Sequence, residues 1–137
     1  MFEEDHRIHL HEGPIDIIID VDAIRDIREN LYLTAKTRFS TILEELVSEL
    51  ELLKRPWAIK NQVPKGEIAK RMFFAVSEMD VYVTPMVAVA GAVADEILCV
   101  MCKTVQTDLK FKNVQRMYVN NGGDIAFWLK KGSSFTI

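Results

Sequence analysis

From Ala23 to Leu53 the residues Ile24, Ile27, Leu31, Ala35, Phe39, Ile42, Leu46, Leu50 and Leu53 recur every three or four positions, the spacing of one helical stripe. Asp22 is a suitable N-cap and Pro56 lies just past the end. An unbroken helix over this stretch would run roughly 46 Å, whereas a compact domain of this size is roughly 37 Å across. The helix must therefore break, or project and find a partner. A break is easiest in LTAKTRFST, which holds three threonines and a serine. A homodimer packed along the stripe is the competing resolution.

The rest of the chain reads as shorter elements. Arg7 to Leu10 and Ile15 to Val21 look extended, with the turn pair Gly13-Pro14 between them, so an opening β-hairpin is expected. Pro56, Pro64 and Gly66 mark residues 56–66 as a loop, followed by a short helix from Glu67 to about Ser77. VYVTP reads as a short strand ending at Thr84. Thr84 is a good N-cap and Pro85 a good first helical residue, so PMVAVAGAVADEILCVMC should be a helix, small enough in its side chains for a central position. After the polar link KTVQTDLKFKN, strands are expected at Met117 to Val119, Asp124 to Leu129 and Ser134 to Ile137. The order suggests an α+β layered domain with an antiparallel or mixed sheet, a long N-terminal helix and a central small-residue helix. With 49% apolar residues in 137, one core and one domain spanning residues 1–137 are the default. The last strand, SSFTI, is apolar and needs a neighbour, either a second subunit or further sequence.

Charge removes several classes of partner. The net charge is −3 and the basic residues are scattered, so the electrostatic footprint for nucleic acid is missing. MFEEDHRIHLHEG lacks the basic start and apolar run of a secretory signal, which points to the cytoplasm. The most apolar segment, Met86 to Cys102, is interrupted by Asp95 and Glu96 and reads as a buried helix rather than a membrane span.

The candidate site lies in YVNNGGDIAF. Asn121-Gly122 is a strong two-residue hairpin signal, and a plain β-turn accounts for it. Asn120, Gly123 and Asp124 exceed what a turn needs. Glycines leave backbone N–H groups bare for a flat or anionic ligand, asparagine amides can read a heterocycle edge, and a carboxylate can accept from a ribose hydroxyl or hold a cation. The start of the Pro85 helix, at Thr84, offers the positive end of a dipole to a phosphate. If Thr84 and the Asn120 to Asp124 turn share one side of the sheet, together they form a single nucleotide cleft.

Other chemistry is thinner. Cys99 and Cys102, at i and i+3, share a helix face and are either a dithiol or two small core residues. A zinc site would need two further ligands. His9 and His11 alternate onto one strand face without a carboxylate of suitable spacing, so they are expected to be solvated. Asp95 is a candidate site residue, and Glu96 is expected to face water. Hydrolase, Walker and H-E-x-x-H signatures are absent.

TPMVAVAGAVADEI, followed some way on by VNNGGDIAF, resembles an uncharacterised branch of the ApbE-like superfamily, and HRIHLHEGPIDIIIDVD and AKRMFFAV fit that branch too. The better-known members are FAD-dependent protein FMN transferases, once labelled thiamine biosynthesis proteins. The resemblance implies an α+β flavin-binding fold whose Asn-Gly-Gly-Asp-Ile turn lines the flavin site. It makes Gly122, Gly123 and Asp124 ligand contacts with Asn120 and Asn121 beside them, and matches Gly91 and Asp95 to a helix motif of the superfamily. In the transferases FAD and magnesium serve to move FMN onto a protein threonine. This sequence departs in two places: Ala90 stands where the transferases carry a lysine, and the later aspartate and threonine segment that supplies their metal ligands is not in it. A complete transferase site is therefore not expected in these residues. The branch has also been linked to sulfide handling in homocysteine biosynthesis, a role in which the cysteines would matter. A non-enzymatic interaction module is the third reading.

Overall fold

The computed structural model describes residues 6–58, 61–79 and 83–131. Its frame is a four-stranded antiparallel sheet in the order β1-β2-β3-β4, with β1 at Ile8–Glu12, β2 at Ile15–Asp22, β3 at Arg116–Asn121 and β4 at Asp124–Leu129. Two hairpins from opposite ends of the chain meet where β2 pairs with β3, from Ile17↔Asn121 to Asp22↔Arg116. Period-two alternation decides the faces. Ile15, Ile17, Ile19 and Val21 of β2, Met117 and Val119 of β3, and Ala126 of β4 are buried against helices, while Asp16, Ile18, Ile125 and Phe127 look outward. Ile17 and Ile19 are fully enclosed, and each such side chain contributes about 1.5–3 kcal/mol of burial.

The long stripe breaks into α1 (Arg25–Phe39), α2 (Ile42–Ser48) and α3 (Leu50–Leu53). The first break falls at the end of the threonine-rich stretch, and hydroxyls cause it. Ser40 Oγ donates to the Thr37 carbonyl at 2.7 Å, and Thr41 donates to the Arg38 carbonyl from both Oγ1 and its backbone N–H. Side chains have thus taken carbonyls that a continuing helix would use. At the second break, the Glu49 carboxylate accepts the backbone N–H groups of Lys65 at 2.8 Å and Gly66 at 2.7 Å. It thereby satisfies orphan donors at the start of α4 (Glu67–Ser77). Most of the stripe packs inward, with Leu31, Ala35, Phe39, Ile42, Leu46 and Leu53 in the core, while its first member, Ile24, is exposed.

Pro85–Ala88 forms a 3-10 turn that runs directly into α5 (Val89–Thr107). By length and composition, Pro85–Thr107 could cross a membrane, with a mean hydropathy of 1.8. Here it is the central helix: β3, β4, α1 and α4 all pack against it. Two expectations need correction. The polar link is helical as far as Thr107 and turns again at Leu109–Phe111, because its alternating Val105 and Phe111 have core to rest on. Val83 and Thr84 belong to no strand, and residues 80–82 of the expected VYVTP strand lie outside the described residues. The expected strand at 134–137 also lies outside them.

Candidate functional site

The β3–β4 turn is made by Gly122 and Gly123, with φ of 60° and 103°, flanked by the pair Asn121↔Asp124. This is one residue later than Asn121-Gly122 as the central pair. Two glycines can both take positive φ without strain, so Asn121 is free to stay in the strand. Asn120 closes the turn, its Oδ1 accepting the Gly123 N–H at 2.9 Å. One amide of the supposedly bare turn is therefore already taken.

Alternation now separates the five turn residues by direction. Asn120 lies on the outer face with Ile18 and Ile125, whereas Asn121 and Asp124 face the helices and stand over the start of α5. Asn121 Nδ2 donates to the Ala90 carbonyl at 3.2 Å. Asp124 Oδ1 lies 3.8 Å from the position a Cβ on Gly91 would occupy. The small residues at 90 and 91 thus let the hairpin tip rest on the helix.

The tip separates two cavities. On the Asn121 side is an apolar pocket of about 310 Å³, walled by Pro14 and Ile15 of the first hairpin, Leu43, Leu46, Val47, Leu50 and Leu53 of α2 and α3, and Met86, Val89, Ala90 and Val93. Asn121 is the polar side chain among them. On the Asp124 side is an open depression of about 240 Å³ lined by Arg71, Gly91, Asp95 and Asp124 among small apolar residues. The structure therefore brings Gly91, Asp95 and Asp124 together and places Asn121 across the tip from them. Thr84 is not among the residues lining either cavity. It does occupy the N-cap position, but its side chain makes no capping bond and a 3-10 turn follows.

Glu96, expected to face water, is instead the buried one of the adjacent acidic pair. Asp95 is exposed, while Glu96 is buried at the crossing of α1, α4 and α5. Arg38 Nε and Nη2 reach Glu96 Oε2 at 3.0 and 2.9 Å, Arg71 Nη2 reaches Oε1 at 3.3 Å, and Arg38 also bonds Glu45 at 2.8 Å. Burial alone would lower the Arg38 pKa, but its hydrogen bonds to Glu45 and Glu96 outweigh that and raise it. Glu96 was missed as a structural centre because its partners lie 58 and 25 positions upstream in the chain.

Histidines 9 and 11 do meet a carboxylate. Asp16 sits opposite His11 across the hairpin, bonds His9 Nε2, and lies 3.7 Å from His11 Nδ1. The hydrogen bond from His9 holds the Asp16 carboxyl below its usual range. Linear spacing hid this contact because the turn folds residue 16 back over residue 11. Cys99 and Cys102 are half-buried free thiols. Burial, with Cys99 adding to it, pushes the Cys102 thiol up to about 11, which opposes a thiolate role at neutral pH.

These features define an α+β domain with a small apolar pocket bounded by a Gly-Gly hairpin tip. The family model described as AbpE bacteria matches the whole chain, residues 1–137, and the protein belongs to that family. No curated protein and no solved structure matches it.

Proposed function

We propose that the protein binds a flat heteroaromatic ring of the flavin or nucleotide class in the apolar pocket, with the ring edge toward Asn121, on an ApbE-like fold. The observation that carries this reading is a nearly all-apolar pocket with one amide on its wall, held in place by the Ala90 carbonyl. Ligand sites combine apolar walls with a few fixed polar groups, and about 310 Å³ is at the lower end of their roughly 300–1,000 Å³ range. The resemblance of VNNGGDIAF and the Pro85 helix to the ApbE-like superfamily supports the same assignment.

The fit to FAD is partial. A pocket of this size houses a ring system, and the remainder of a dinucleotide would lie outside it. Magnesium fits less well: Asp95 and Asp124 line the depression, but among the described residues no group of three or more candidate ligands gathers. At the position where the transferases carry lysine, Ala90 instead accepts from Asn121.

Titration of riboflavin and of adenosine with the protein, followed by flavin fluorescence and calorimetry, tests it. Saturable binding that is abolished by Ala90→Phe, which fills the pocket, is the expected result. Riboflavin and adenosine both failing to bind at high micromolar protein, or binding unchanged by Ala90→Phe, refutes it.

A further inference from the structure

We infer that Asn121 makes the pocket selective for rings that present an N–H at their edge, as the flavin imide and the adenine amino group do, over rings of the same shape whose edge only accepts. This rests on the ring-binding reading above and concerns one atom on the wall of the same pocket, Asn121 Oδ1. A side-chain amide has a donor end and an acceptor end, and its orientation follows from its partners. Here the partner is the Ala90 carbonyl, which can only accept, so Nδ2 is the atom placed against it at 3.2 Å. Turning the amide over would set two acceptor oxygens against each other.

The two ends are thus unequally provided for. Nδ2 already has an acceptor within the protein. Among the described residues nothing donates to Oδ1, and the fully enclosed side-chain atoms without a partner are Arg28 Nε and Trp57 Nε1, so Oδ1 remains within reach of a ligand. The other side chains lining the pocket are apolar and cannot supply the missing donor. A ring that fills this space and displaces water must bring an N–H to Oδ1, or leave that oxygen desolvated and unpaired. The sheet keeps the amide in place, since Asn121 pairs with Ile17 on one side and Asp124 on the other.

Methylating the donor tests this on the same ring. Riboflavin is compared with riboflavin methylated at its imide nitrogen, and adenosine with adenosine dimethylated at its amino group. Each is titrated against wild type and Asn121→Leu, which is close in volume. In wild type the methylated member of a binding pair should bind about tenfold more weakly, the size of one lost hydrogen bond with its acceptor left unpaired. In Asn121→Leu the members should bind within about twofold of each other, since no acceptor remains to discriminate. Asn121→Val, a better strand former, should give the same result and serves if the leucine variant folds poorly. Equal affinity in wild type overturns the inference, and so does a preference that persists undiminished in the nonpolar variants, which would make it steric. Either result leaves the pocket assignment intact. Failure of all of these compounds to bind wild type overturns the ring-binding reading, and this inference with it.

Discussion

Arg38 of α1 and Glu96 of α5, two helices that pack directly on each other, meet through two nitrogens on one carboxylate oxygen at 3.0 and 2.9 Å. Glu96 also holds Arg71, so removing it leaves two guanidiniums short of a partner. Breaking a buried pair by deleting one member costs about 3–5 kcal/mol, and the partial exposure of both arginines reduces that here. Glu96→Ala should lower unfolding stability by about 2–3 kcal/mol, read as a shift in the urea midpoint with little change in slope. A shift within experimental error would show that the network is only a surface arrangement.

The hairpin glycines should respond unequally. Gly123 sits at φ 103°, outside the small left-handed well, whereas Gly122 at 60° lies inside it. A Cβ at either position meets open space, so the penalty is conformational alone. Gly123→Ala should cost about 1–2 kcal/mol, and Gly122→Asn a few tenths. Thermal unfolding of both variants checks the order, and equal losses would contradict the turn geometry.

Tyr32 joins α1 to the sheet: its hydroxyl donates to the His6 carbonyl at 2.6 Å and accepts the Val21 N–H at 3.2 Å. Burial raises its pKa from 10.0 to about 12. Because the folded value lies above the unfolded one, its contribution is whole below pH 10 and is lost as pH rises toward 12. Wild type should lose stability over that window more steeply than Tyr32→Phe, which has no phenol to ionise. Parallel pH profiles would show that the hydroxyl is not held as described.

Cys102 should be a slow nucleophile. With its thiol near 11, the thiolate fraction at pH 8 is on the order of a hundredfold below that of an ordinary cysteine. In Cys99→Ser protein, reaction of Cys102 with a disulfide reagent should be slower by about that factor and accelerate only in strong alkali. Rapid reaction at pH 8 would revive the sulfur-handling alternative.

What could be read from sequence was what depends on near neighbours. The Gly13-Pro14 turn, the start of α4 at Glu67, β4 from Asp124 to Leu129, and the break beside Ser40 and Thr41 all follow from local propensity and periodicity. What could not be read depends on partners that the fold supplies. Glu96 is buried because Arg38 and Arg71 arrive there, and His11 finds Asp16 because the first hairpin reverses. At the site, the sequence singled out Asn121, Gly91, Asp95 and Asp124, but nothing local showed that Asn121 and Asp124 would rest on α5 and divide the space there. Nor did it reveal the apolar pocket, whose walls come from four separate stretches of chain.

The pairing of β2 with β3 also sets an order of events during synthesis. The strand at residues 15–22 leaves the ribosome with one of its two hydrogen-bonding edges unmet, well before its partner at 116–121 is made. Native closure of such a distant pair is slow, because loop entropy must be lost before the contact repays it. Until that closure the β2 edge stays open, and Ile17, Ile19 and Val21 lack Met117 and Val119 beside them. A nascent chain of this kind would draw on holding chaperones until the second hairpin emerges.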